Sequence, residues 1–446
     1  MRSCIRVILI TCCVGLTVQQ AQAQRALSRS QLPTRQLLDR FGLEMMWWGH
    51  ATINPSRDRV RHFVADEETV YVQSTAGTIT AFDSETGRQL WAQQIGIRDA
   101  TAYPIVTNDR LALVSSGMQL YAINKWTGKI LWRIKLPGLP STSPSADDEQ
   151  LYFGTLDGSV YALSLDKINE LYSRNLLPQW SEETFKWRYQ TGDVIVSPPL
   201  STGRIVNFAS KDRSLYSVAA TTRDLQFQFE VDDPLTANIG QSGKFLYLAT
   251  GGDRIFCVNR ENGAVRWEYP TGLPILNAPV VLDNAVYIFP SNGGMFSLSA
   301  LSGRQNWWRG QMTAFIAASR NRVYVTDEND NIGVLTRDNG QRIGLIRLNH
   351  FTNRISNERT DRIFLATDSG MIACLREKGQ EFPVYHKYPD RRPIMPEFVQ
   401  ETAAPPDAQP PDISLPPDAR PPTFNQPPAA GPPNNNQPPV PPKIDN

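Results

Sequence analysis

Apolar positions along most of the chain fall in short alternating runs rather than at helical spacing, the pattern of half-buried strands. Eight such runs open at Val70, Leu111, Leu151, Ile205, Leu246, Val286, Val323 and Ile363, as in Val70-Tyr-Val72 and Leu246-Tyr-Leu248. Their starts lie 41, 40, 54, 41, 40, 37 and 40 residues apart. A second short run follows after a Gly, Asp or Asn turn, as at Gly77, Gly158 and Gly370. Such residues supply the positive φ of two-residue hairpins. Units of about 40 residues, each of several short strands, predict a propeller. The expected fold is all-β: an eight-bladed β-propeller of four-stranded blades.

The unit carries a second signature. A small residue leads a Gly by six positions and a Trp by ten: Ala81, Gly87, Trp91; Ala122, Gly128, Trp132; Cys257, Gly263, Trp267; Ser297, Gly303, Trp307. Asp83, Asn124 and Asn259 stand where a side chain bonds the turn backbone two residues on. The Gly takes a left-handed turn, and the Trp ends on the last strand, where its flat face covers the turn of the adjacent blade. These are expected to be structural docking positions. Copy three reaches Trp187 late because 166–186 is an insertion with near-helical apolar spacing. Copies four and seven have Phe227 and Gly344 at the Trp position, and copy eight runs into Pro383 with neither Trp nor last strand. The missing piece stands at the other end, where Trp47 and Trp48 precede the first copy. Residues 43–50 are expected to supply the outer strand of blade eight, closing the ring and removing two exposed edges.

Both ends differ from this pattern. Arg2 and Arg6, the apolar run 7–18 and Ala21-Gln22-Ala23 read as a signal peptide over 1–23. The run is too short to span a bilayer, and no other segment approaches that length. A lipoprotein box at Cys12 or Cys13 is the rival reading, with lipid anchoring. Residues 24–42 form a leader, with a short helix over 32–41 capped by Ser30 and stopped by Gly42. The propeller occupies 43–388. In 389–446 Pro-Pro doublets start at 405, 410, 416, 421, 427, 432, 438 and 441. Apolar content there is too low to repay ordering, so a disordered proline-rich tail is expected, a tether or a ligand for a proline-recognising partner. The mature chain keeps Cys257 and Cys374, equivalent positions of different copies, read as small buried residues rather than a disulfide.

Lys and Arg total 45 against 44 Asp and Glu, net +1. That balance excludes a nucleic-acid binder driven by phosphate neutralisation and a polybasic membrane-surface protein. His50, His62, His350 and His386 have no metal-ligand spacing, and no nucleophile elbow or phosphate loop is present.

The repeated Ala-x-Asp/Asn-x-x-Thr/Asn-Gly-Lys/Arg-x-x-Trp segments resemble the pyrroloquinoline-quinone (PQQ)-like propeller repeat over about 43–385. The resemblance implies the propeller fold. It includes quinoprotein dehydrogenases, which hold PQQ and calcium, and a non-enzymatic propeller lipoprotein of the outer-membrane β-barrel assembly machinery. The adjacent-cysteine disulfide on which many of those enzymes stack the quinone has its only counterpart here at Cys12-Cys13, inside the signal. The expectation is therefore an exported, non-enzymatic, monomeric scaffold, periplasmic or extracellular, with a role in the cell envelope. It would bind other envelope proteins through loops on one face, the 166–186 insertion included. A PQQ- and calcium-dependent dehydrogenase of alcohols or sugars is the alternative.

Overall fold

The computed structural model describes residues 32–387. The expected signal peptide, the leader up to residue 31 and the proline-rich tail lie outside the described residues. Eight four-stranded antiparallel sheets form a propeller, the sheets taken in chain order as blades 1 to 8. Blade 1 consists of Val60–Ala65, Thr69–Ser74, Thr78–Asp83 and Gln89–Gln94. The apolar runs of the sequence are the second strands. Six of the eight first strands have only two or three residues, as at Val106–Thr107, Ser145–Ala146, Leu200–Ser201 and Asn353–Arg354. They meet those of neighbouring blades around a central channel.

Blade 8 is built from both ends of the propeller. Leu43–His50 pairs antiparallel with Met371–Glu377, in register Leu43 to Glu377, Trp47 to Cys374 and His50 to Met371. The register shifts between Met45 and Trp47. Burial follows position in the sheet. The second strand Thr69–Ser74 is buried at every residue, because both its faces meet a neighbouring blade. The outer strands Gln89–Gln94 and Val265–Pro270 bury only their Trp. The core therefore lies between blades: Tyr71, Ile79, Ala81 and Trp91 of blade 1 pack with Ile105, Ala112, Val114 and Ile123 of blade 2.

Two helical pieces decorate the ring. The leader helix is Arg35–Asp39, shorter than the 32–41 expected, because the Thr34 side chain accepts from Leu37 N–H and starts the helix there. Gly42 takes φ +65° just before the strand. In blade 3 the third strand runs straight into a helix, Leu165–Ser173, capped by Ser164. A short turn, Leu177–Trp180, and a 3-10 turn, Ser181–Thr184, then lead to the outer strand Phe185–Gln190. The turns between third and outer strands share one face of the ring, here the Trp face. Blade-to-blade connections share the opposite, connection face.

Candidate functional site

The repeated docking residues meet at the joints between blades. A row crosses each blade through its second, third and outer strands: Tyr71, Ala81, Trp91; Tyr152, Ala162, Trp187; Tyr247, Cys257, Trp267; Tyr287, Ser297, Trp307; and Phe364, Cys374, Trp47. Cross-strand pairs of this kind stabilise a sheet face. From the end of the row the indole reaches the next blade. Trp47 Nε1 donates to Ser84 O at 2.8 Å, Trp91 to Lys125 O at 2.8 Å and Trp187 to Ala220 O at 2.7 Å. Trp267 donates to Ala300 O at 3.0 Å and Trp307 to Arg337 O at 2.9 Å.

The glycines make room for these rings. A Cβ at Gly87, Gly128, Gly303 or Gly340 would lie 2.4–2.6 Å from the indole of Trp47, Trp91, Trp267 or Trp307. Each of these glycines has φ between +65° and +71°, a region costly for other residues. Asp83 Oδ1 accepts from the N–H of Glu85 and Thr86, Asn124 Oδ1 from Trp126 and Thr127, and Asn259 Oδ1 from Glu261. Trp48 stands apart from the row. Successive strand residues point to opposite faces, so it packs on the blade 7–blade 8 cluster, edge-on to His50.

Three joints differ. Trp132 is buried, yet its Nε1 makes no hydrogen bond. The blade 3 strand continues into the helix instead of a tight turn, and Leu165, Ile168, Leu171 and Leu177 cover the ring. In blade 7 the row is Tyr324, Val334, Gly344. A Cβ on Gly344 would meet Phe41 Cε1 at 2.4 Å, so a leader aromatic lies where other blades place an indole. Arg322 also donates to Phe41 O. In blade 4 the row is Asn207, Ser217, Phe227, and Phe227 lies over Gly263. Spacing in the sequence exposed all three departures, but not what fills them.

A cavity of about 640 Å³ opens on the Trp face at the channel mouth. Asn238, Gln241, Ser242, Asn357, Arg359 and Lys387 are among its lining. The chain beyond blade 8 runs inward to reach it. Val384 N–H donates to Asp361 Oδ1 at 3.1 Å, and His386 N–H to Arg359 O at 2.9 Å. His386 Nε2 lies 2.8 Å from Ala318 O, and Lys387 pairs with Glu358. Ion pairs tie this seam to blade 1: Arg359 with Glu67 at 2.7 Å and buried Arg362 with Glu85 at 2.9 Å. Burial raises the Asp361 carboxyl, although adjacent Arg362 pulls it down. Burial likewise raises the thiols, Cys257 to about 11 and Cys374 well above the ordinary range. Both are free and buried, so neither is an activated nucleophile. Among the described residues no group of three His, Cys, Asp or Glu side chains is placed to hold a metal ion.

On the connection face an aliphatic run crosses blades 1 to 3. Ile97, Met118, Leu139 and Leu156 are 76%, 37%, 50% and 51% exposed. Backbone bonds join their loops: Gly117 N–H to Thr101 O, Leu136 to Met118 O and Leu156 to Leu139 O. The turn 115–118 and the connection 136–144 carry no charged residue.

The family model described as outer membrane protein assembly factor BamB matches residues 75–191 and 211–366, which span blades 1 to 8. The chain belongs to the BamB family. BamB of Yersinia pestis is 24% identical over 300 residues, 61% of this chain and 62% of that protein. BamB of Escherichia coli K12 is 22% identical over 297 residues, 63% of this chain and 64% of that protein. The chain thus spans less than two thirds of the length of these BamB relatives. A tetrathionate hydrolase of Acidithiobacillus ferrooxidans is 25% identical over 278 residues, 56% of this chain and 52% of the hydrolase. The crystal structure of BamB from Moraxella catarrhalis superposes with a TM-score of 0.57 at 12% identity, covering 75% of this chain and 99% of that one. That superposition shows the shared fold. Among the described residues no helix is long and apolar enough to cross a membrane.

Proposed function

We propose that this BamB-family propeller is an exported, non-enzymatic scaffold that binds other envelope proteins during outer-membrane protein assembly. The observation that carries the reading is the family match across all eight blades, in a chain whose repeated Trp, Gly and Asp/Asn residues are engaged in holding blades together. The aliphatic run on the connection face is the binding surface we favour. It exposes several large apolar side chains in contiguous loops, as protein-binding patches do, and loops on a rigid ring are where such function is placed. The insertion joins a third to an outer strand and so lies on the Trp face.

The test is genetic and biochemical. Deleting the gene is expected to lower the amount of folded outer-membrane β-barrel protein, read by heat-modifiability on gels. The wild-type chain restores it, while Leu139→Glu with Leu156→Glu does not, although that variant folds. Normal barrel levels in the deletion strain would overturn the assembly role. The likeness to tetrathionate hydrolase favours one second reading, an enzyme. Purified protein given tetrathionate, or PQQ and calcium with an alcohol or sugar and a dye, is expected to show no turnover. Turnover with either would sink the scaffold reading.

A further inference from the structure

The three joints without an indole bond are not equivalent. At the joint of blades 2 and 3, the insertion helix packs its leucines over Trp132. At the joint of blades 7 and 8, the leader places Phe41 against Gly344, and Leu38 joins the cluster there. Among the described residues no added element intervenes at the joint of blades 4 and 5. Phe227 covers Gly263 but has no donor for Arg260 O, the carbonyl that corresponds to Ser84, Lys125, Ala220, Ala300 and Arg337.

The rest of that row is also weaker. Asn207 stands where four of the five indole-bonded joints have Tyr and the fifth has Phe. Asn207 and its cross-strand partner Ser217 are wholly buried. Both amide atoms of Asn207 and the Ser217 hydroxyl make no hydrogen bond, three such atoms in one row, whereas the rows of blades 1 and 6 each have one, the Tyr71 or Tyr287 hydroxyl. The hydrophobic cluster at this joint includes Leu246, Leu248 and Val258 of blade 5 and Phe227 and Phe229 of blade 4. Buried polar groups without partners favour any state that hydrates them. Smaller side chains in a packed row also forfeit contacts.

We propose that the ring opens at the joint between blades 4 and 5. Separation there hydrates Asn207 and Ser217 and breaks no indole bond, whereas five other joints each lose one. It also widens the channel-mouth cavity, whose wall includes Leu200 of blade 4 and Ile239 to Gly243 of blade 5. Such sub-global openings are the low-free-energy motions of a native protein.

Hydrogen exchange read by mass spectrometry on the full chain tests this. Amides of Ile205–Ser210 and Ser214–Ala219 in blade 4 are expected to exchange at least tenfold faster than those of Ala285–Ile288 and Met295–Ser299 in blade 6. The variant Asn207→Tyr, Ser217→Ala, Phe227→Trp is expected to bring blade 4 down to the blade 6 rate and leave other blades unchanged. Should that variant misfold, Phe227→Trp alone is expected to slow blade 4 by a smaller factor. Equal rates in blades 4 and 6 overturn the proposal. So does fastest exchange at the seam of blades 8 and 1, or a folded variant whose blade 4 rate does not move.

Discussion

At the residue scale, the Gly–Trp pair is one interaction distributed over two blades. Gly128 carries two constraints, a φ of +71° and the Trp91 ring 2.6 Å from any added Cβ. Gly128→Ala is expected to cost about 2–4 kcal/mol, left-handed strain and overpacking together. Gly117 has φ +55° and open space around it, so Gly117→Ala should lose only the strain, about 1 kcal/mol. Urea midpoints of the two variants separate the contributions, and equal losses would refute the docking account. His62 offers a pH test. Burial lowers its pKa below the ordinary 6.5, with the bond to Ala102 O opposing and Arg61 adding to the shift. The folded state therefore prefers the neutral ring. Its contribution is present above the ordinary value and is lost as pH falls through the folded one. His62→Gln should flatten the decline of stability between pH 7 and 5; an unchanged slope would contradict this.

At the scale of elements, irregular pieces repair what the repeats omit. The insertion brings aliphatic side chains to Trp132, and the leader brings Phe41 to Gly344. Phe41 is half-buried, so Phe41→Ala is expected to cost about 2 kcal/mol, below the figure for a fully buried ring. The same change should speed tryptic cleavage after Arg40. Unaltered cleavage would show that the leader is held by something else. The second and third strands and the Trp row were legible because both depend on local alternation and fixed spacing. First strands of two or three residues were not, since two residues carry no period. The row also enters one residue later in blades 2 and 4, at Leu113 and Asn207, than an alignment of the apolar runs implies. Cross-strand pairing, rather than the first apolar residue, sets that register.

At the scale of the whole molecule, stability rests on closing the ring. Blade 8 holds its outer strand across more than 320 residues of chain, through strand pairing, Trp47 and the Arg376–Glu44 pair at 2.7 Å. Trp91 sits on a strand joined to its neighbour by a short turn, whereas no hairpin turn joins Leu43–His50 to its paired strand Met371–Glu377. Truncating either indole should cost about 3–5 kcal/mol. Only Trp47→Ala should also release the strand, seen as proteolytic nicking around residues 35–57 under native conditions. Similar nicking in Trp91→Ala would argue against a special role for the closing strand.

The sequence by itself determined the eight units, the glycines and aromatics that dock them, and the N-terminal strand that completes blade 8. These follow from period, turn chemistry and the steric uniqueness of Gly, all of which are local. Tertiary structure alone decided how the unusual joints are filled and which face carries each loop. It also decided that Asn207 and Ser217 are buried without partners. Those properties depend on residues far apart in the chain meeting at an interface, as Phe41 does Gly344, and no spacing along one strand records such a meeting.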